Sequence, residues 1–204
     1  ITQDTAILSK ILQLANSAFF GFATPATSAI EAVVRLGHSM IKNLVLCAGI
    51  FKQDSTSNTH DHESLCRHAE YVAGIMRTLA QDMKLSRAET DRHYVLGMLH
   101  NVGGLISGET GNTERNAVIS AYLLKLWGFD SDTVVAVLYQ RRPEDAKDIK
   151  AMTLRLHAAT VISQLHQTGG DPQALAPPLN KNILSDAGML EHVEPYLQGD
   201  PAYH

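Results

Sequence analysis

Apolar residues recur along almost the whole chain with a period near 3.6, and no segment alternates with the period of two that a half-buried strand requires. Ile7, Leu8, Ile11, Leu12 and Ala15 trace one face of a first helix. The segment SAIEAVVRLG opens with Ser28 and Glu31 at capping-box spacing and closes at Gly37, a residue suited to a left-handed stop. Ser39 is placed to cap MIKNLVLCAGIF. Leu65, Val72, Ile75, Met76 and Leu79 form the next buried stripe. Ser86 and Glu89 repeat the capping pattern before the apolar run Val95 to Leu99, and Gly128 closes AVISAYLLKLW. Asp130 or Ser131 starts DTVVAVLYQ, and a long helix is expected from about Asp148 to Gln167, ending at Gly169-Gly170. The pattern predicts an all-α protein of about eight to ten short helices.

Three polar stretches read as loops: Lys52 to Glu63, Ser107 to Asn116 and Gly169 to Asn182. The first divides a small N-terminal helical lobe, 1–52, from a larger helical body, 63–204, and the two are expected to form one integrated domain. The chain starts at Ile1, already inside a helical pattern, and is read as an excerpt of a longer protein.

Composition narrows the class. The 204 residues are 45% hydrophobic, an ordinary share for a globular chain, and the formal charge is −4. Basic residues are neither in excess nor clustered beyond Arg141-Arg142, so no nucleic-acid footprint is present. No apolar run approaches the roughly 18 residues that a membrane span needs. Cys47 and Cys66, far apart in helical surroundings, suit buried thiols in a reducing cytoplasm better than a disulfide framework.

Ten histidines raise the question of metal. His60, Asp61 and His62 sit in the first polar stretch, where solvated side chains are the first expectation. His38 suits a helix junction, His204 is terminal, and His93, His157, His166 and His192 have no neighbour at ligand spacing. His68 falls on the buried stripe of its helix, and His100 ends an apolar run on the next. In an antiparallel pair these two would meet. A polar imidazole facing a core needs a partner, so hydrogen-bonded core histidines are the first reading and metal ligands the second.

The motif VLGMLHNVGGL, Val95 to Leu105, with a histidine on the preceding helix, resembles the HD superfamily of metal-dependent phosphohydrolases. The segment LANSAFFG at Leu14 to Gly21, followed by TSAIEAVVRLG and later by AYLLKLWGF, resembles the HDOD domain within it. That resemblance implies a helical HD-like fold and a bacterial signalling context. It also implies that His68 and His100 match the metal-binding histidines of active members. Asn101 stands where those enzymes have aspartate, and Gly103-Gly104 where they have Gly-Lys. Asn116, Gln140 and Arg141 occupy positions of later histidines, and Ala159-Thr160 that of a further aspartate.

An HD phosphohydrolase uses metal to bind phosphate and to make hydroxide from water, and the aspartate holds and bridges the ions. Asparagine offers one neutral oxygen instead. The resemblance therefore implies a catalytically inactive domain, with no cofactor beyond a weak divalent metal at His68 and His100. Asn101 is expected to take a left-handed conformation and, with the glycines, to make a tight exit from the helix. The implied partners are signalling proteins carrying receiver, kinase or cyclic-dinucleotide domains. Phe19, Phe20 and Phe22 read first as core and second as part of a partner surface. The alternative is a divergent phosphohydrolase using His68, His100 and Asn101, with Arg141 or Arg142 taking substrate phosphate through its planar fork.

Overall fold

A computed structural model describes residues 26, 28–37, 59–107, 111, 113–127, 129–148, 150–167 and 178–197. Backbone contacts divide the chain into two units, 1–62 and 63–204. Phe19, Phe20, Phe22, His38, Ser39, Cys47, Gly128, Gly169, Gly170 and His204 lie outside the described residues.

In the first unit, α1 (Ala29–Leu36) is capped by Ser28, whose side chain accepts the Glu31 N–H, and it ends at Gly37 with φ of 83°. The second unit is all helix among its described residues. It comprises α2 (Thr59–Asp82, beginning in the first unit), α3 (Arg87–Leu99), α4 (Val102–Ser107), α5 (Glu114–Leu126), α6 (Ser131–Leu138), a 3-10 turn (Pro143–Asp145), α7 (Ala151–Gln167), α8 (Lys181–Asp186) and α9 (Leu190–Leu197).

The caps follow the sequence. Ser86 accepts from the Glu89 N–H and Asp130 from the Thr133 N–H, each satisfying a donor that the first turn leaves open. At the end of α2 the Leu85 N–H reaches back to the Ala80 carbonyl while Lys84 takes a φ of 56°. This is a Schellman ending built on a lysine instead of the usual glycine.

The core gathers around α7, where an unbroken run from Met152 to Ser163 is buried. A helix buried on all sides belongs at the centre, and α3, α6, α9 and the 3-10 turn pack around it. From α2 the predicted stripe Leu65, Val72, Ile75, Met76 and Leu79 is buried, together with Ala69, Ala73 and Ala80. From α3 everything between His93 and Leu99 is buried.

Four sequence expectations change. His60, Asp61 and His62 fall within the first turns of α2, which begins at Thr59, and not in a loop. Glu114 to Asn116 likewise belong to the first turn of α5. The long helix begins at Ala151 and not near Asp148, because the 3-10 turn at Pro143 and the segment behind it intervene. The fourth concerns Asn101. Among the described residues Lys84 is the non-glycine with positive φ, so Asn101 is not left-handed. The chain does not leave the helix there: α4 starts at Val102 and takes Gly103 and Gly104 into its own turns.

Close packing explains those glycines. A Cβ on Gly103 would lie 2.9 Å from Ser120 N on α5, so α4 approaches α5 at a distance only glycine permits. The same device joins α2 to α3, where a Cβ on Gly97 would lie 2.7 Å from Ala73 N.

Candidate functional site

The Gly97–Ala73 contact fixes where the two histidines meet. His100 follows Gly97 by one helical turn, and His68 precedes Ala73 by a little more than one, so the antiparallel α2–α3 pair sets them side by side. Their Nε2 atoms are 3.3 Å apart and their rings cross edge-on, centroids 5.1 Å apart.

The remaining hydrogen bonds assign the tautomers. His100 Nδ1 lies 2.6 Å from the Gly97 carbonyl, which only accepts, so the proton sits on Nδ1 and Nε2 carries a lone pair. His68 Nε2–H then donates to it. On its far side His68 Nδ1 receives from Gln167 Nε2 at 3.0 Å and faces Ser163 Oγ at 3.0 Å, both from α7. Burial keeps both rings neutral. It pulls His68 down to about 4, and it pulls His100, with the nearby His68 ring adding and the Gly97 carbonyl opposing, to about 3.

The chain of hydrogen bonds continues past the pair. Gln140 is fully buried and its amide donates to the His100 carbonyl at 3.0 Å. Its own backbone carbonyl accepts from His157 Nδ1 at 2.8 Å, and His157 Nε2 accepts from the Asn180 N–H that precedes α8. Burial holds His157 low as well.

The other candidate residues are spent on structure. Asn116, fully buried, donates to the Gly111 carbonyl and accepts from Ser107 Oγ, each at 2.7 Å, tying down the α4–α5 connection. Thr160 turns its hydroxyl to the His157 carbonyl of its own helix, beside the buried Ala159. Arg142 is exposed and paired with Glu114 at 3.0 Å and Asp145 at 3.3 Å. Arg141 is half-buried, and desolvation lowers its pKa while Glu114 opposes. From this segment it is Gln140 that reaches His100.

Asn101 is the exception. It is 5% exposed, and neither its Oδ1 nor its Nδ2 has a hydrogen-bond partner. A buried amide left unpaired costs on the order of 1–3 kcal/mol.

Whether these residues suit metal follows from the donor set. Two imidazole nitrogens sharing one tetrahedral ion at about 2.0–2.1 Å each stand about 3.3–3.4 Å apart. The His68–His100 spacing therefore fits a single ion of the zinc class. A binuclear phosphohydrolase centre does not fit: among the described residues no group of three or more His, Cys, Asp or Glu could hold an ion. The partners the pair finds among the described residues are neutral: the amides of Gln140 and Gln167 and the hydroxyl of Ser163.

The remaining histidines have ordinary places. His93, fully buried, donates from Nδ1 to the Glu89 carbonyl and accepts from Arg155 Nη1 at 2.9 Å. His166 stacks on Tyr71, and His192 lies beside Glu191. Sequence reasoning missed Ser163 and Gln167 on His68, the buried Arg155, and the role of His157.

Comparison with known proteins agrees with this architecture. Residues 1–119 match the HDOD domain and residues 65–187 match the HD domain. The chain belongs to the HDOD family. It is 29% identical over 111 residues to an uncharacterized protein of Treponema pallidum, covering 52% of this chain and 20% of that one. The chain thus spans about a fifth of the length of that curated relative.

Two solved structures share the fold. One is a Shewanella amazonensis protein provisionally named a phosphohydrolase, with TM-score 0.67, 19% identity, and coverage of 97% of this chain and 78% of that one. The other is an HDOD domain protein of unknown function from Geobacter sulfurreducens, with TM-score 0.66, 19% identity, and coverage of 98% and 74%. Among the described residues no helix is long and apolar enough to cross a membrane.

Proposed function

We propose that this chain is a catalytically silent HDOD module that regulates bacterial signalling in the cytoplasm by contact with other proteins. Residues 1–52 serve as its N-terminal lobe and 63–204 as its HD-like body. Receiver, kinase and cyclic-dinucleotide domains are the partners this reading implies. The observation that carries it is the direct His68–His100 contact within neutral, internally bonded surroundings. By the resemblance, the metal-ligand positions of active HD enzymes fall here at Asn101, Asn116, Gln140-Arg141 and Ala159-Thr160, and the side chains of Asn116, Gln140 and Thr160 make hydrogen bonds inside the body.

Elemental analysis of protein purified without chelator or a histidine tag, alongside His100→Ala, tests the reading. Metal well below one equivalent, with no turnover of a phosphodiester in added manganese, is the expected result. Stoichiometric metal lost in His100→Ala, accompanied by turnover, overturns it.

The second reading, a divergent phosphohydrolase, is favoured by one observation, the 3.3 Å Nε2–Nε2 spacing that suits a shared ion. In that reading His68 and His100 hold the metal, Asn101 adds a neutral oxygen and Arg141 takes phosphate. The metal would supply Lewis-acid activation of water.

A further inference from the structure

Arg155 is a buried cation whose hydrogen bonds go to uncharged atoms. It stands on α7, 9% exposed, and desolvation lowers its pKa. Its Nη1 donates to His93 Nε2 at 2.9 Å, and its Nε donates to Met83 Sδ at 3.2 Å. Glu89, whose carboxylate lies 3.8 Å from Arg92, acts on Arg155 from farther away. A guanidinium is best matched by oxygen acceptors, and a thioether sulfur is a weak substitute.

Met83 occupies the corner between α2 and α3. Its N–H closes the last turn of α2 onto the Leu79 carbonyl at 3.1 Å, and the left-handed Lys84 follows. That corner leaves Met83 half-buried. The other methionines among the described residues are all in the core, with Met76 0%, Met98 2%, Met152 6% and Met189 5% exposed. Oxidation at sulfur follows access, so the fold singles out Met83 among them.

We infer that Met83 is a site of reversible oxidation by hydrogen peroxide, and that Arg155 holds the sulfoxide formed there. Arg155 occupies one of the two sulfur lone pairs and leaves the other for the oxidant. That pair attacks one peroxide oxygen, and the S–O bond forms as the O–O bond breaks. The displaced hydroxide takes the proton from the transferred oxygen and leaves as water. Sulfur loses two electrons and peroxide gains them. A dithiol returns them through a methionine sulfoxide reductase, becoming a disulfide while the oxygen departs as water.

A methionine sulfoxide ordinarily disrupts packing, because it sets a polar group among apolar ones. At Met83 the new oxygen instead meets a guanidinium that lacks a strong acceptor, and the flexible thioether can turn it there. The tie from the end of α2 to α7 is therefore strengthened by oxidation. His68 lies about 22 Å back along α2, at about 1.5 Å per residue, so the site is separate from the histidine pair.

The test exposes the full chain to dilute hydrogen peroxide and follows each methionine by peptide mapping in a mass spectrometer. Met83 should oxidise roughly tenfold faster than Met76, Met98, Met152 and Met189. The protein oxidised at Met83 should melt no lower than the reduced one, and the reductase with a dithiol should restore the original mass. Two variants at this half-exposed position isolate the part played by Arg155. Met83→Leu keeps the bulk but removes the acceptor, and should lower the melting temperature by about 2–4 °C, the scale on which one hydrogen bond registers in a chain of this size. Met83→Gln offers a carbonyl oxygen in place of the sulfoxide and should melt above Met83→Leu.

Four outcomes overturn the proposal. They are one of the four core methionines oxidising first, or sulfoxide at Met83 lowering the melting temperature, or a sulfoxide that the reductase leaves in place, or Met83→Gln melting no higher than Met83→Leu.

Discussion

Gly97 on α3 and Ala73 on α2 touch so closely that the two helices meet backbone to backbone, and the His68–His100 contact depends on that approach. Adding a methyl group at Gly97 gives it nowhere to go but into Ala73. Gly97→Ala should therefore destabilise the fold by about 1–3 kcal/mol, the range for overpacking a core. The midpoint of urea unfolding measures it. An unchanged midpoint would show that the helices can move apart freely.

Lys84 offers the opposite experiment. It holds a left-handed conformation with its side chain exposed, where an L-residue with a Cβ is disfavoured by about 1–2 kcal/mol. Lys84→Gly should raise stability by up to about 1 kcal/mol, since glycine also gains freedom in the unfolded chain. A fall in melting temperature would mean that the lysine makes a compensating contact.

Acid should weaken the fold through its buried imidazoles. Desolvation holds His93 below its ordinary value, Arg155 adding to this and the Glu89 carbonyl opposing, so the ring is neutral when folded. In the unfolded chain it takes up a proton below about pH 6.5. The unfolded state then binds more protons, so the contribution is complete above that pH and is lost as pH falls toward the depressed folded value. His157 behaves in the same sense. Unfolding free energy should be level above about pH 6.5 and decline below it. His93→Gln should make that decline shallower by about 1.4 kcal/mol per pH unit in its steepest part. An identical slope in the variant would mean that His93 is already charged in the folded protein.

Asn101→Asp tests the position from which a carboxylate is missing. With no hydrogen-bond partner for the amide, an aspartate there is buried without compensation. In chelator the variant should lose about 1–3 kcal/mol. Zinc or manganese should recover that stability in a concentration-dependent way, because an ion bound only by the folded state stabilises it by mass action. Calorimetric titration of wild type and variant reads the gain directly. If the variant binds metal no better than wild type, Asn101 does not occupy a ligand position.

The elements legible in the sequence were those governed by neighbours a turn away. Ser28, Ser86 and Asp130 cap their helices because the acceptor and the open N–H lie three residues apart, and that spacing is visible in any sequence. His68 and His100 could be paired because each lies on a buried stripe and consecutive helices tend to run antiparallel.

Asn101-Val102-Gly103-Gly104 misled because asparagine and glycine are turn residues by local rule. Here the glycines answer a tertiary demand, the approach of α4 to α5, which no local pattern reports. Ser163 and Gln167 were invisible for a similar reason. They lie 95 and 99 residues beyond His68 and reach it only through the central position of α7.

The line of hydrogen bonds from His68 through His100, Gln140 and His157 to the Asn180 N–H crosses the body from α2 to the start of α8. Each imidazole along it has a fixed tautomer, and therefore a distinct pair of nitrogen resonances. Isotope labelling of histidine alone would turn the line into an internal gauge. An ion taken up at His68 would displace the His100 signals at once. Any echo at His157 would report how far the change had travelled toward α8, with no foreign probe introduced.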